Sequence, residues 1–300
     1  MPRAISCSRT IAARSASKSG DCAAASMPHL AFDAATNCNT AGFAFIICAA
    51  DETERTLLIR FWAIADTHLS FGKARDMTRF GEKWRDHTDR LAVAWQAVVA
   101  PHDVVMLLGD ISWASSVKGV MPDLEWLSQL NGTKILLRGN HDHWWGSLEK
   151  ARRIAEPLGF HLLEGDALSL HGVIICGAMG HWAPNDPFFE PNPRKDRFGR
   201  ELARLEAALQ HAQALRQADE PILLIMHYPP FTSDGQPTAY TALIARYQPT
   251  MCLYGHLHHD REWLLAKQGL YEGVRYDLVA ADFLQMTPRL VWQVPATRFK

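Results

Sequence analysis

From residue 57 onward, short unbroken apolar runs alternate with longer stretches in which apolar residues recur every three or four positions. Five of the runs, at 57–65, 103–108, 133–137, 221–226 and 250–254, are bounded by polar residues and predict buried strands. Helical spacing marks 83–99, 121–130, 147–155 and 197–218. Strand and helix in alternation predict an α/β protein on a largely parallel sheet. Residues 168–177, 274–279 and 290–294 read as further strands, added antiparallel.

Residues 1–55 have a different texture, rich in Ala, Ser, Thr and Cys, and the stretch to Gly20 holds Arg3, Arg9, Arg14 and Lys18 without an acid. Three readings fit this leader: a transit-like targeting segment, a disordered extension, or a start assigned too early, with Met27 or a later position as the beginning. Its apolar run at 41–50 has about a third to a half of the length that spans a bilayer, so no membrane helix is expected. The chemistry is expected in a domain over 56–300.

Composition narrows the function classes. With 48% hydrophobic and 21% charged residues, the chain is globular rather than collagen-like or disordered. A net charge of -1 lacks the basic excess by which proteins grip long nucleic acid, so nucleic acid is not the expected partner. The six cysteines include no Cys-x-x-Cys pair, which argues against a disulfide framework or thiolate zinc and for a reducing, cytoplasmic setting.

The polar residues after the five strands carry the chemistry. The first strand runs into Asp66 and His68, the second into Gly109 and Asp110, and the third into Gly139, Asn140, His141 and Asp142. The fourth ends in His227 and the fifth in Gly255, His256, Leu257 and His258. Ligands of open α/β sheets gather beyond the carboxyl ends of the strands, so these clusters are expected to converge. Glycine ahead of three of them permits sharp turns and close backbone approach. Carboxylates and imidazoles buried together cost several kcal/mol unless a cation or hydrogen bonds compensate them. Mixed His nitrogen and Asp/Asn oxygen, with no thiolate, suits Mn, Fe or Zn. Six or so ligands exceed one tetrahedral ion and fit two divalent metal ions sharing a carboxylate. Such a pair can hold a bridging hydroxide for in-line attack at phosphorus. Phosphoester hydrolysis is the reaction these residue types suggest.

Asp-x-His, Gly-Asp, Gly-Asn-His-Asp, a lone His after a strand, and Gly-His-x-His, in this order, resemble the calcineurin-like metallophosphoesterase superfamily. The resemblance implies a four-layer α/β/β/α sandwich with two central mixed sheets. It implies that Asp66, His68, Asp110 and His258 hold one metal, and that Asp110, as the bridge, holds a second with Asn140, His227 and His256. It places His141 off the metals, beside the substrate phosphate, as a proton donor or charge stabiliser. Many relatives carry an acid three positions after the bridging aspartate, which orients the histidine equivalent to His141. Trp113 stands there in this chain, and Asp142 is not assigned the orienting role, since neighbouring side chains at a strand end diverge. The stretches Gly-Asp-Ile-Ser-Trp and Gly-Asn-His-Asp-His-Trp-Trp are also similar to those of a group of bacterial predicted phosphohydrolases.

Each residue also has a plainer reading. Asp66 or His68 alone reads as a helix cap or surface residue, Asn140 as turn chemistry, and His227 as a loop histidine. His256 and His258 alternate in an extended segment and would face one side, leaving His259 solvated. His143 reads as either a support behind the ligands or a structural residue, and Trp144 and Trp145 as core packing beside the site. The run His256-Leu257-His258-His259-Asp260 partly matches metallo-β-lactamase-type hydrolases, but Arg261 replaces the closing histidine. A proline-spaced loop over 181–200 offers Trp182, Arg194 and Arg197 as a substrate wall, where an aromatic ring could stack a base or sugar and a guanidinium hold phosphate. The expected partner is a small-molecule phosphoester. The rivals are a non-catalytic scaffold of the same fold and a nuclease of the same superfamily.

Overall fold

The computed structural model describes residues 57–192 and 194–296, so the leader expected over 1–55 lies outside the described residues. The first sheet contains β1 (Leu58–Ile64), β2 (Val104–Leu108), β3 (Thr133–Leu137), β4 (Phe160–Leu163) and β11 (Arg289–Pro295). Its order is β11-β1-β2-β3-β4, parallel except for β11, which runs antiparallel to β1 with an irregularity in register between Phe61 and Trp62.

The second sheet contains β5 (Asp166–Leu170), β6 (Val173–Ala178), β7 (Ile222–Met226), β8 (Met251–Tyr254), β9 (Gly269–Tyr271) and β10 (Val274–Leu278). Its order is β5-β6-β7-β8-β10-β9, with four parallel central strands and an antiparallel strand at each edge. Both sheets are mixed, as expected.

Strand periodicity explains the layering. On β1, Phe61 and Ala63 enter a core shared with Ile175, Ile225 and Leu253 of the second sheet, while Trp62 and Ile64 enter another core on the opposite face. Strands apolar on both faces read as continuous hydrophobic runs, which is why the sequence marked them so clearly. The outer face of the first sheet packs on α1 (His87–Val98), α2 (Val117–Ser128) and α3 (Leu148–Ala155) through Leu91, Trp95, Leu124 and Ala151. The outer face of the second packs on α4 (Arg197–Leu215) and α5 (Ala239–Tyr247) through Leu205, Leu209, Tyr240 and Ile244. Three cores between four layers make the α/β/β/α sandwich.

Local chemistry moved several boundaries. The helix expected over 83–99 begins at His87, because Asp86 takes a left-handed backbone (φ 50°) that ends the 3-10 turn before it. The helix expected from 121 starts at Val117, where the Ser116 hydroxyl accepts the Gly119 N–H. The single strand expected over 168–177 is the hairpin β5–β6, turned at His171 and Gly172, both at positive φ. Short elements escaped the sequence pattern: β4, β9, α5 and α6 (Asp260–Leu265). Among the described residues no helix is long and apolar enough to cross a membrane.

Candidate metal centre

The carboxyl ends of β1, β2, β3, β7 and β8 meet at one end of the sandwich, where backbone bonds tie the loops together. Asp66 N donates to Gly109 O (2.9 Å), His68 N to Asp110 O (2.9 Å) and Gly255 N to His227 O (3.1 Å). Ala65 joins the sheets: its N–H donates to Val279 O (2.8 Å) and its carbonyl accepts from Ala281 N (2.9 Å). Close approach depends on two glycines. A Cβ at Gly139 would collide with the backbone nitrogen and carboxylate of Asp110, and one at Gly255 with Ala65 and the Asp66 carboxylate.

Four candidate ligands occupy the left-handed backbone region that side chains disfavour: Asp66 (φ 60°), His68 (47°), Asp110 (50°) and His256 (71°). Such conformations cost about 1–3 kcal/mol each and collect where a site demands them. The value at His256 also means that the segment to His258 is not regularly extended; the two histidines reach the site on irregular chain rather than by strand alternation.

The side chains form two groups. Asp66, His68 and His258 offer ligand atoms within 4.8 Å of one another, and so do Asp110, His227 and His256. Each group therefore takes residues from loops of both sheets. Asp110 lies between them, with Oδ2 3.8 Å from His68 Nε2 and Oδ1 3.5 Å from His227 Nε2. Asn140 Oδ1 is 2.8 Å from His227 Nε2. All seven predicted ligand positions thus come together.

The donor set fits cations. His227 Nδ1 lies 3.0 Å from Leu108 O, a bond that puts its proton there and leaves the Nε2 lone pair facing Asn140 Oδ1 and His256 Nδ1 at 3.2 Å. Unshared pairs crowded this closely repel unless something positive lies among them. Asp66 Oδ1 and His68 Nδ1 are buried without a hydrogen-bond partner among the described residues. The electrostatics agree. Burial, with the neighbouring Asp66 and Asp142, pushes the Asp110 carboxyl up to about 7 against the pull of His227. Burial and the surrounding imidazoles hold His68 and His256 well below the ordinary value. Burial would lower His258 as well, but Asp66 and Asp282 outweigh it and raise that ring to about 10.

His141 stands at the rim, its side chain 40% exposed, with Nε2 3.9 Å from Asp110 Oδ2. Its backbone N–H donates to Asp110 Oδ1 (2.7 Å), and burial lowers the ring to about 4. In place of an acid, Trp113 packs against it with ring centres 4.4 Å apart. The same indole stacks on His68 at 4.6 Å and carries the Arg75 guanidinium at 3.9 Å. Asp142 accepts from the N–H groups of Ile111, Ser112 and Gly139 and from Trp144 Nε1, which makes it a structural tie. Trp144 and Trp145 are buried in the core, while His143 and His259 are exposed.

Of the expected substrate wall, Trp182 sits edge-on to His256 at 5.1 Å. Arg197 lines cavities of about 840 and 350 Å³. Arg194 lines neither; its N–H bonds to Asn192 Oδ1 in a turn and its side chain is exposed.

Sequence reasoning missed four residues here. Asp282 Oδ1 is 3.1 Å from His258 Nδ1, and Lys83 Nζ is 3.1 Å from Asp282 Oδ2 while also donating to His258 O. Tyr228 packs on His256 at 4.0 Å, and His181 stacks on Tyr228 at 5.5 Å. For Asp282 a signal existed: it follows the strand expected over 274–279, as other acids follow theirs.

Comparison with known proteins follows the same lines. A family model described as calcineurin-like phosphoesterase matches residues 59–260. A probable cyclic nucleotide phosphodiesterase of Rhodopseudomonas palustris is 28% identical over 74% of this chain and 82% of its own. Gene 66 protein of Mycobacterium phage L5 is 37% identical over 27% of this chain, and the match spans only 39% of the phage protein's length. Among solved structures, a Thermus thermophilus protein covers 66% of this chain and 82% of its own at 14% identity, with a TM-score of 0.45. A protein of unknown function from Aquifex aeolicus covers 77% and 94% at 16% identity, with a TM-score of 0.42.

Proposed function

We propose that this chain, which belongs to the calcineurin-like phosphoesterase family, hydrolyses a small phosphodiester or phosphomonoester with two divalent metal ions as cofactors. Asp110 carries the reading, because one carboxylate oxygen lies 3.8 Å from His68 of the first ligand group and the other 3.5 Å from His227 of the second. In this reading Asp66, His68, Asp110 and His258 hold one ion, and Asp110, Asn140, His227 and His256 hold the other. Bound there, the ions would supply Lewis acidity toward the phosphoryl oxygens and acidify a solvent molecule for attack at phosphorus. Manganese, iron or zinc suits these nitrogen and oxygen donors.

The chain's own residues do the rest. Leu108 O and Asp282 fix the His227 and His258 rings through their Nδ1 atoms, so that both present Nε2 inward. His141, neutral at physiological pH, donates its ring N–H to the departing or non-bridging phosphoryl oxygen. Trp113 and Trp84 wall His68 from solvent. The phosphodiesterase named among the relatives supports a diester substrate.

The decisive experiment is Asp110→Asn, followed by elemental analysis and by Mn-supported cleavage of bis(4-nitrophenyl) phosphate. The wild type should carry about two ions per chain and cleave the ester. The variant should lose bound metal and more than about 100-fold in activity while keeping its far-UV circular dichroism. Retained turnover in the variant would remove the reading.

A further inference from the structure

Beside the second ligand group lies a cavity of about 350 Å³ whose lining includes Arg138, Arg197, Arg200 and Arg204 together with Glu201, Asn140 and Tyr228. Two of these cations are neutralised. Arg204 pairs with the buried Glu201 and, at 3.0 Å, with Glu164; Arg138 lies 3.8 Å from the same Glu164. Arg197 and Arg200, both exposed, have no carboxylate within 4.0 Å among the described residues, and Arg200 Nε donates to Asp196 O (3.1 Å).

Both sit at the start of α4, whose N-cap Asp196 accepts the Gly199 N–H through its carboxylate (2.7 Å) and whose first turn holds no further acid. Helix amide dipoles place partial positive charge at that end, so cations there are repelled and anions are favoured. The Asp196 carboxylate offsets part of that potential, and Arg197 and Arg200 remain the two cavity arginines without a carboxylate partner among the described residues. A phosphate oxyanion would supply the missing partner and match guanidinium geometry with bidentate hydrogen bonds.

The cavity adjoins a larger one. Through His181 and Arg197 it meets a basin of about 840 Å³ lined by Trp182, Phe188, Phe189 and Phe198. Trp182 in turn touches His256. Ligand groups, arginine cavity and aromatic basin therefore adjoin pairwise, as the corners of a triangle. A molecule filling all three needs a central hub with three arms: a scissile phosphoryl group, a planar ring and a second anion.

We propose, building on the phosphoesterase reading, that the substrate is a nucleoside-like phosphoester bearing a second phosphate on its sugar. The arginine cavity binds that phosphate through Arg197 and Arg200, the basin stacks the base, and the scissile group lies at the ligand centre. Water adds to the scissile phosphorus, the ester oxygen leaves with a proton, and the second phosphate is untouched. A cyclic mononucleotide, with one phosphate, leaves the arginine cavity unfilled.

The test compares thymidine 5'-(4-nitrophenyl phosphate) with the same compound phosphorylated at O3'; both release 4-nitrophenolate. The metal-loaded wild type should prefer the 3'-phosphorylated compound by about 10-fold or more in kcat/KM, mostly through KM. In Arg197→Ala/Arg200→Ala that preference should collapse to within about 3-fold, and Arg197→Lys/Arg200→Lys should restore part of it. Absence of preference in the wild type, or its survival in the double alanine variant, would overturn the inference alone. A wild type that cleaves neither compound nor bis(4-nitrophenyl) phosphate would overturn the phosphoesterase reading and the inference with it.

Discussion

Asp282 Oδ1 lies 3.1 Å from His258 Nδ1, and the buried carboxylate is held in turn by Lys83. A carboxylate bonded to the far nitrogen of a liganding imidazole fixes its tautomer and strengthens it as a donor. Asp282→Ala should weaken metal binding at the Asp66, His68 and His258 group by about 10- to 100-fold, and Asp282→Asn, which keeps an acceptor, by less. Competition against a chromophoric chelator measures both, and an unchanged affinity in the alanine variant would deny Asp282 this role.

His141 should separate chemistry from metal binding. His141→Asn is expected to lower kcat by about 100-fold or more while metal content stays at the wild-type level. Single-turnover kinetics alongside elemental analysis checks this; loss of metal in step with activity would instead make His141 part of the metal scaffold.

Gly139 is a packing constraint with a functional result. Gly139→Ala places a methyl group against the Asp110 nitrogen and carboxylate, so that one of the two strands must move. The expected cost is about 3 kcal/mol or more, read as a lower urea midpoint with an unchanged slope. A midpoint within error of wild type would mean that the β2 and β3 loops are looser than their packing implies.

Lys134 gives a pH dependence remote from the centre. Burial lowers its ammonium from 10.5 to about 8, although the tip donates to the carbonyls of Ser128 and Leu130. Between those pH values the unfolded chain keeps a proton that the folded chain has released, so the folded state gains as pH rises. Relative to Lys134→Met, the wild type should gain about 1–2 kcal/mol from pH 8 to 10.5, after allowance for screening of the partly hydrated ammonium. Paired urea titrations at these pH values decide it; a difference that is flat or reversed in sign would show that the carbonyl bonds hold the charge in place.

Much of this was legible in sequence because the informative strands are apolar on both faces and end in polar clusters. The runs that became β1, β2, β3, β7 and β8 needed no partner to be recognised, and the residues after them form the centre. What escaped has local causes. β9 has three residues and α6 six, too few for a period to register. The turn at His171 and Gly172 was hidden because residues on both sides of it are apolar. Trp113 was noticed as a missing acid, but its stacking on His68 depends on loop geometry that spacing alone does not encode. Asp282 contacts His258 across 24 residues of chain, a relation that only the sheet topology creates.

Each ligand group borrows side chains from loops of both sheets, and this has a mechanical result. An ion seated in either group rivets one half of the sandwich to the other, so that loading should slow their separation in the way a crosslink does. A chelator would then do more than silence turnover: it would withdraw the rivets and leave the shared apolar core and the backbone bonds at Ala65 to hold the halves.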